Sequence, residues 1–204
     1  MKNALPRHVG FIPDGNRRWA DMRGLGRETG YAHGVEPGLL LMGACRSFGI
    51  PEISVYGFTK DNTKRPAVQK QAFSAACIAF AEAALHQGAA LLVIGDTASA
   101  QFPQELRPYC TRQGNGLKVN LLVNYGWEWD IEGLRLSGRL RSQEVPRLDL
   151  VMRWGGGRRL SGFLPIQSVY ADFFVVEDYW PDFRLDHFHQ AMRWYQRQDR
   201  TLGG

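Results

Sequence analysis

His8-Val9-Gly10-Phe11-Ile12-Pro13-Asp14-Gly15-Asn16-Arg17-Arg18-Trp19 is a short apolar run that ends on an acid, a glycine and an asparagine, with two arginines opening a helix. If the apolar run is a buried strand, Asp14 sits at its carboxyl end, where open α/β sheets place their ligands. The backbone N–H groups that follow, together with Arg18, then present positive charge to the same spot, which suits a phosphate. One carboxylate beside several phosphate-binding groups is the donor set expected for Mg²⁺ on a diphosphate. A competing reading takes Asp14-Gly15 as a hairpin turn pair. The residues after it, Asn16 to Ala20, carry no strand pattern, which counts against a returning strand.

Further along, apolar runs and helical patterns alternate. Ile53, Val55 and Phe58 alternate as in a strand, and Ala90–Ile94, Leu117–Val123, Asp149–Met152 and Phe173–Val176 are further strand candidates. Val35, Leu39, Met42 and Cys45 fall on helical spacing with Gly49 placed to stop the helix. Val68–His86 is an alanine-rich helix, Pro103–Arg112 a polar one, and Leu185–Gln198 the last; Asp130 is placed to cap a helix running towards Arg141. Buried strands separated by helices predict an α/β fold, a single domain over residues 1–204 with a mostly parallel central sheet flanked by helices.

Composition narrows the partners. The 204 residues carry 25 basic and 20 acidic side chains, a net charge of +5, which favours anionic partners. Nucleic acid is disfavoured, since no recognition-helix or RNP-like pattern accompanies the charge. Three scattered cysteines, Cys45, Cys77 and Cys110, form no metal or redox motif and read as reduced thiols. The N-terminal residues lack an apolar signal core, and no apolar run is long enough to span a bilayer. A cytoplasmic protein is expected, with peripheral contact to a membrane surface left open. His187 and His189, two apart on the last helix, read as a surface pair and not as metal ligands.

Polar clusters end three of the strand candidates: Asp14 to Arg18, Thr59 to Arg65, and Arg153 through Ser161. A parallel sheet would bring all three to one edge. The last, Arg153-Trp154-Gly155-Gly156-Gly157-Arg158-Arg159-Leu160-Ser161, joins a glycine turn to three arginines and a hydroxyl, a weak signal alone but suited to phosphate oxygens. Arg27, among Gly24, Gly26 and Gly30, suggests a second loop shaped by close approach.

Taken together, HVGFIPDGNRRWA, YGFTKDNTKRP, LLVNYGWEWDI and DLVMRWGGGRRLSGFLPIQSVYADFFVVEDYWPDF resemble, in order and over nearly the whole chain, the motifs of the cis-prenyltransferases, the undecaprenyl diphosphate synthase-like family. The resemblance implies an enzyme that joins isopentenyl diphosphate to an allylic diphosphate, with Mg²⁺ as cofactor and a homodimer as the assembly. It implies that Asp14 is the Mg²⁺-linked aspartate, that Asn16 and Asn62 act in catalysis, and that Asp172 supplies a second carboxylate to the metal. Gly15, Arg17, Arg18, Trp19 and Arg27 match the first diphosphate cradle, with Tyr31, Thr59 and Arg65 beside it. Arg153, Arg159 and Ser161 match the isopentenyl diphosphate site. The tail Arg200–Gly204 is similar to the family's C-terminal ending, with Thr201 in place of an arginine.

Several positions depart from the family pattern: Tyr31 for a histidine, Thr63 for a tryptophan, Gly157 for a glutamate, and Trp127 and Trp154 for smaller residues. The two tryptophans either narrow the pocket and face a cation, or pack elsewhere. The helix after Arg65 is about four residues shorter than in long-chain members, removing roughly 6 Å of tunnel wall and implying a short product of roughly C10 to C20. Irregular coupling or cyclisation of allylic diphosphates, and a non-catalytic partner subunit, are the alternatives.

Overall fold

A computed structural model describes residues 5–198. Six strands form one wholly parallel sheet: β1 (His8–Ile12), β2 (Glu52–Tyr56), β3 (Ala90–Ile94), β4 (Lys118–Leu122), β5 (Leu150–Arg153) and β6 (Asp172–Val175). Their order is β3-β4-β2-β1-β5-β6, so β1 lies where the strand order reverses, flanked by β2 and β5. Every residue of β1, β3 and β5 is buried, which is why these runs read as continuous apolar segments.

Helices α1 (Asn16–Met22), α2 (Thr29–Ala32), α3 (Val35–Ser47), α4 (Ala67–His86), α5 (Trp127–Ser137) and α6 (Leu185–Tyr195) complete the layers. On one face Leu41, Met42 and Cys45 of α3, Phe80 and Ala84 of α4, and Phe188 and Met192 of α6 pack against Val9, Phe11, Ile53 and Val119. Trp129 of α5 and the irregular stretch carrying Val145, Leu148, Phe163 and Leu164 cover the other. The expected α/β architecture is present, and no helix among the described residues is long and apolar enough to cross a membrane.

Some local expectations need correction. Pro103–Arg112 is not an α-helix but a 3-10 segment, Gln104–Cys110, because Pro108 inside it has no N–H to donate to an α-helical ladder. Asp130 does not cap α5. It lies in the first turn, buried, accepting from the Tyr125 hydroxyl (2.7 Å) and the Ser142 hydroxyl (2.6 Å). His187 is buried, at 4% exposure, and is not part of a surface pair. The tail Arg200–Gly204 lies outside the described residues.

Candidate active site

The three adjacent strands β2, β1 and β5 release their chains into one cavity of about 430 Å³ at the carboxyl edge of the sheet. Its walls carry six arginines (Arg17, Arg18, Arg27, Arg65, Arg153, Arg159) against three aspartates (Asp14, Asp21, Asp61). Such an excess of guanidinium groups at a strand-order reversal suits an anion by charge and by topology.

Asp14 follows β1 and is the hub. One carboxylate oxygen accepts from the Gly15 N–H at 2.6 Å and lies 3.5 Å from Arg18; the other accepts from Arg153 at 2.7 Å. Arg153 ends β5 with its side chain 4% exposed, and donates also to the Ser161 hydroxyl (2.8 Å) and the Arg159 carbonyl. Its Nε is buried without a partner. A Cβ at Gly157 would lie 2.6 Å from that Nε, so any larger residue there would require the guanidinium to shift.

The remaining positions fall into place around this pair. Asn16 donates to the Pro13 carbonyl at 3.0 Å while its amide oxygen is buried and unpartnered. Gly30 must be glycine because its Cα lies against the Asn16 carbonyl, which holds the second loop against the first. That loop carries Arg27, held by both oxygens of Asp21 (2.9 and 3.0 Å). After β2, Thr59 and Asn62 cap each other reciprocally across a 3-10 turn, Lys60–Lys64, and both line the cavity. Part of the Asn62 side chain is therefore committed to its own loop. Arg65 donates to the Tyr31 hydroxyl at 2.7 Å, and the Tyr31 ring stacks on Phe73 with centroids 4.5 Å apart. Burial raises the Tyr31 pKa, so the phenol keeps its proton at neutral pH.

Two expected site residues lie elsewhere. Trp19 is buried away from the cavity; its indole N–H donates to Asp182 at 2.8 Å and its ring lies 4.7 Å from that of His33. Asp172 opens β6 in register with Leu150, itself in register with Val9. Asp14 is five residues beyond Val9 and two strands across from β6, so the two residues are roughly 19 Å apart at strand rise and spacing. One chain cannot bring both to one ion. The tryptophans that depart from the family line neither wall of the cavity: Trp154 is wholly buried, and Trp127 packs on Gly162. Thr63 spends its hydroxyl on the Lys60 carbonyl.

Other contributors escaped the sequence reading. Tyr56 donates from its hydroxyl to the Ser161 carbonyl at 2.9 Å, fixing the glycine loop to β2. Tyr179 lies under Arg18, 4.9 Å from ring to guanidinium. Both stand inside quoted motifs, but nothing in their spacing distinguishes them from core tyrosines.

Directly behind the charged cavity is an apolar pocket of about 60 Å³, floored by Val35, Cys77, Phe80, Leu121 and Trp180. Pro13, Asn16, Tyr31, Gly57 and Phe73 line both spaces, so the two adjoin. A charged head and an apolar tail could be held across that boundary.

Comparison with known proteins places the chain in a family. A family model described as "Putative undecaprenyl diphosphate synthase" matches residues 12–203. An isoprenyl transferase of Clostridium tetani is 31% identical, with 98% of this chain and 90% of the relative covered. A ditrans,polycis-undecaprenyl-diphosphate synthase of Pasteurella multocida is 31% identical over 99% of this chain and 96% of its own length. Among solved structures, lavandulyl diphosphate synthase from Lavandula x intermedia, in complex with dimethylallyl diphosphate, superposes with a TM-score of 0.83 at 22% identity, covering 98% of this chain and 99% of that one, and so shares the fold. The chain belongs to the undecaprenyl diphosphate synthase family and is a cis-prenyltransferase, an enzyme of prenyl diphosphate condensation.

Proposed function

We propose that this enzyme condenses isopentenyl diphosphate with a short allylic diphosphate, in a Mg²⁺-dependent reaction, and stops at a short product of roughly C10 to C20. The observation that carries the reading is the boundary at Tyr31 and Phe73, with six arginines on one side and a small apolar pocket on the other. Arg17, Arg18, Arg27 and Arg65 would grip the allylic diphosphate, and Arg153, Arg159 and Ser161 the isopentenyl diphosphate.

The donor set fits Mg²⁺. No group of three or more His, Cys, Asp or Glu gathers among the described residues, and Asp14 is one-third exposed at the cavity. Mg²⁺ is commonly held by one or two carboxylates with the rest from water and substrate phosphates, so Asp14 alone suffices. Bound there, the ion would neutralise charge growing on the departing diphosphate. The arginines do the same from fixed positions, in a site where well-aimed donors are worth about 3 kcal/mol each. As the allylic carbon loses its diphosphate, the alkene of the second substrate attacks and a proton leaves the adjacent carbon. Asp14, Asp21 and Asp61 are paired with Arg153, Arg27 and Lys64 respectively. The departing diphosphate or one of these carboxylates would take that proton.

Product length follows from space. Ligand pockets commonly measure about 300–1,000 Å³; the tail pocket here offers about 60 Å³. The Pasteurella relative aligns over 234 positions, against 204 residues here, so it carries at least 30 residues that this chain lacks. The same tight pocket favours a second reading, coupling of two dimethylallyl units, the ligand in the lavandulyl diphosphate synthase structure. A homodimer is inferred from exposed Ile166, Val169 and Tyr170 near edge strand β6, to be checked by light scattering. At the cavity rim, exposed Met22 and Leu25 beside Arg23 and Arg27 suit an anionic bilayer surface, to be checked by vesicle co-sedimentation.

Incubating the purified protein with Mg²⁺, isopentenyl diphosphate and short allylic primers, then sizing the products, tests the proposal. Products of ten or more isoprene units overturn the short-chain reading. Irregular products from dimethylallyl diphosphate alone establish the second reading instead. A folded Asp14→Ala variant that turns over normally refutes the site assignment, and a wild-type protein that releases no diphosphate is a non-catalytic subunit.

A further inference from the structure

Residues Val176 to Trp180 form a strap that touches both halves of the charged cavity. On the glycine-loop side, the Val176 carbonyl accepts from the Gly156 N–H (3.1 Å) and the Asp178 carbonyl from the Gly155 N–H (2.8 Å). On the first-strand side, the Trp180 N–H donates to the Asp14 carbonyl (3.0 Å). Tyr179 presses on Gly15 so closely that a Cβ there would lie 2.6 Å from its ring. The strap is held from behind through the Asp178 carboxylate, which accepts from Arg184 (2.7 Å) and His187 Nε2 (2.9 Å). His187 Nδ1 faces two donors, the Arg184 backbone N–H at 3.2 Å and the Trp154 indole N–H at 3.4 Å. Two donors on Nδ1 fix a neutral ring with its proton on Nε2. Trp154 is wholly buried and directly follows Arg153, the cation that grips Asp14.

We propose that His187, in its neutral form, is a positioning residue for the diphosphate-binding cavity, and that protonating it loosens the strap from the glycine loop. The proposal rests on the diphosphate reading given above. A proton added at Nδ1 would confront both the Arg184 N–H and the indole N–H, and a buried indole N–H without an acceptor is costly. The charged groups facing the ring divide: Asp178 and Asp186 favour the proton, while Arg184 opposes it. Burial is the largest influence and, with Arg184, holds the ring below the usual histidine range. The loosening is therefore an acid-side effect. Sequence alone hides this role, because the residues that give it, Trp154 and Asp178, are distant from His187 or on a separate element.

The test uses the full ¹⁵N-labelled chain. Of six tryptophan indole signals, the one lost in Trp154→Phe belongs to Trp154. In the wild type that signal should titrate with a midpoint below about 6.5, and in His187→Gln, which keeps an acceptor and a donor but cannot gain the charge, it should stay still. Calorimetric affinity for Mg²⁺-pyrophosphate should fall roughly fivefold more in the wild type than in His187→Gln between pH 7.5 and 5.5, the scale of one hydrogen bond. An indole signal that titrates identically in both proteins overturns the proposal, as does equal loss of pyrophosphate affinity; neither touches the diphosphate reading. If His187→Gln does not fold, unequal midpoints for the indole signal and pyrophosphate binding in the wild type overturn it. Failure of pyrophosphate to bind at pH 7.5 sinks the diphosphate reading, and the proposal with it.

Discussion

The central sheet carries a polar cluster at each end, and the two are built oppositely. At the amino end, Arg112 donates to Asn120 (2.8 Å), Asn120 to Glu52 (2.8 Å) and Ser54 (3.1 Å), and Ser54 bonds His8 Nε2 (2.8 Å). His8 Nδ1 donates to the Pro146 and Arg147 carbonyls (3.1 and 3.2 Å), which fixes the direction of every bond in the chain. None of the buried unpartnered side-chain atoms among the described residues belongs to this network. At the carboxyl end, by contrast, Asn16 Oδ1 and Arg153 Nε are buried without partners, and Asn124 Oδ1 lies just past β4 in the same state. A buried polar group is normally satisfied. Gln69 Oε1 and Gln167 Oε1 are unpartnered outside the cavity, so the contrast rests on Arg153 Nε, a donor left free within an excess of positive charge, which suits an anionic ligand.

Substitution at each end separates the two most sharply. Arg153→Met should lower turnover by about 10²–10³, the scale of losing one aimed charge. Stability should change little, because the Asp14 it abandons is one-third exposed and can hydrate. Asn120→Leu should do the reverse. It strands Glu52, Ser54 and Arg112 in a buried setting and should cost about 2–4 kcal/mol, roughly 5–10 °C in Tm. Activity of the folded fraction should stay near normal. Thermal melts with initial rates on both variants decide this, and an Arg153→Met protein that loses stability but not rate would invert the comparison.

The amino-end network also predicts how stability depends on pH. Burial holds His8 below its ordinary pKa, against an opposing pull from Glu52. The unfolded chain therefore binds a proton between the folded value and about 6.5 that the folded chain refuses. The stability from His8 is present above about pH 6.5 and is lost as pH falls through its folded pKa. Unfolding free energies from urea titrations should drop between pH 7 and 5, by about 1.4 kcal/mol for each unit of displacement. His187 titrates in the same direction, so His8→Gln should flatten the dependence without abolishing it. An unchanged slope in His8→Gln would remove the network from the account.

These contrasts explain what was legible in the chain. Ala90–Ile94 could be placed to the residue because a strand buried on both faces leaves an unbroken apolar run closed by Gly95-Asp96. The three strand-end clusters converge as expected because parallel strands send all their carboxyl ends one way. Asp172 misleads for the complementary reason: its residue type suits a metal, but register with Leu150 puts it at the amino end. Likewise Trp19 sits inside a charged motif yet faces Asp182, far along the chain, and His33 in the next loop. Local spacing encodes which end of a strand a residue occupies. It does not encode which distant side chain turns a ring inward.

The smallest effect is expected at the boundary between the charged cavity and the tail pocket. Tyr31 offers two things there: a phenol oxygen that accepts from Arg65, and a ring stacked on Phe73. Tyr31→Phe removes the first and keeps the second. Burial draws the Arg65 pKa down, but an arginine stays charged, so the loss is one hydrogen bond and not a cation. Roughly a threefold to tenfold rise in KM for one of the two diphosphates should follow, with kcat and product length unchanged. Tyr31→Ala removes the ring as well and opens the boundary, so it should also lengthen the product by about one unit of extra room. If Tyr31→Phe alone changes product length, the phenol and not the ring closes the tail pocket, and the division of the site into a charged end and an apolar end at this residue is wrong.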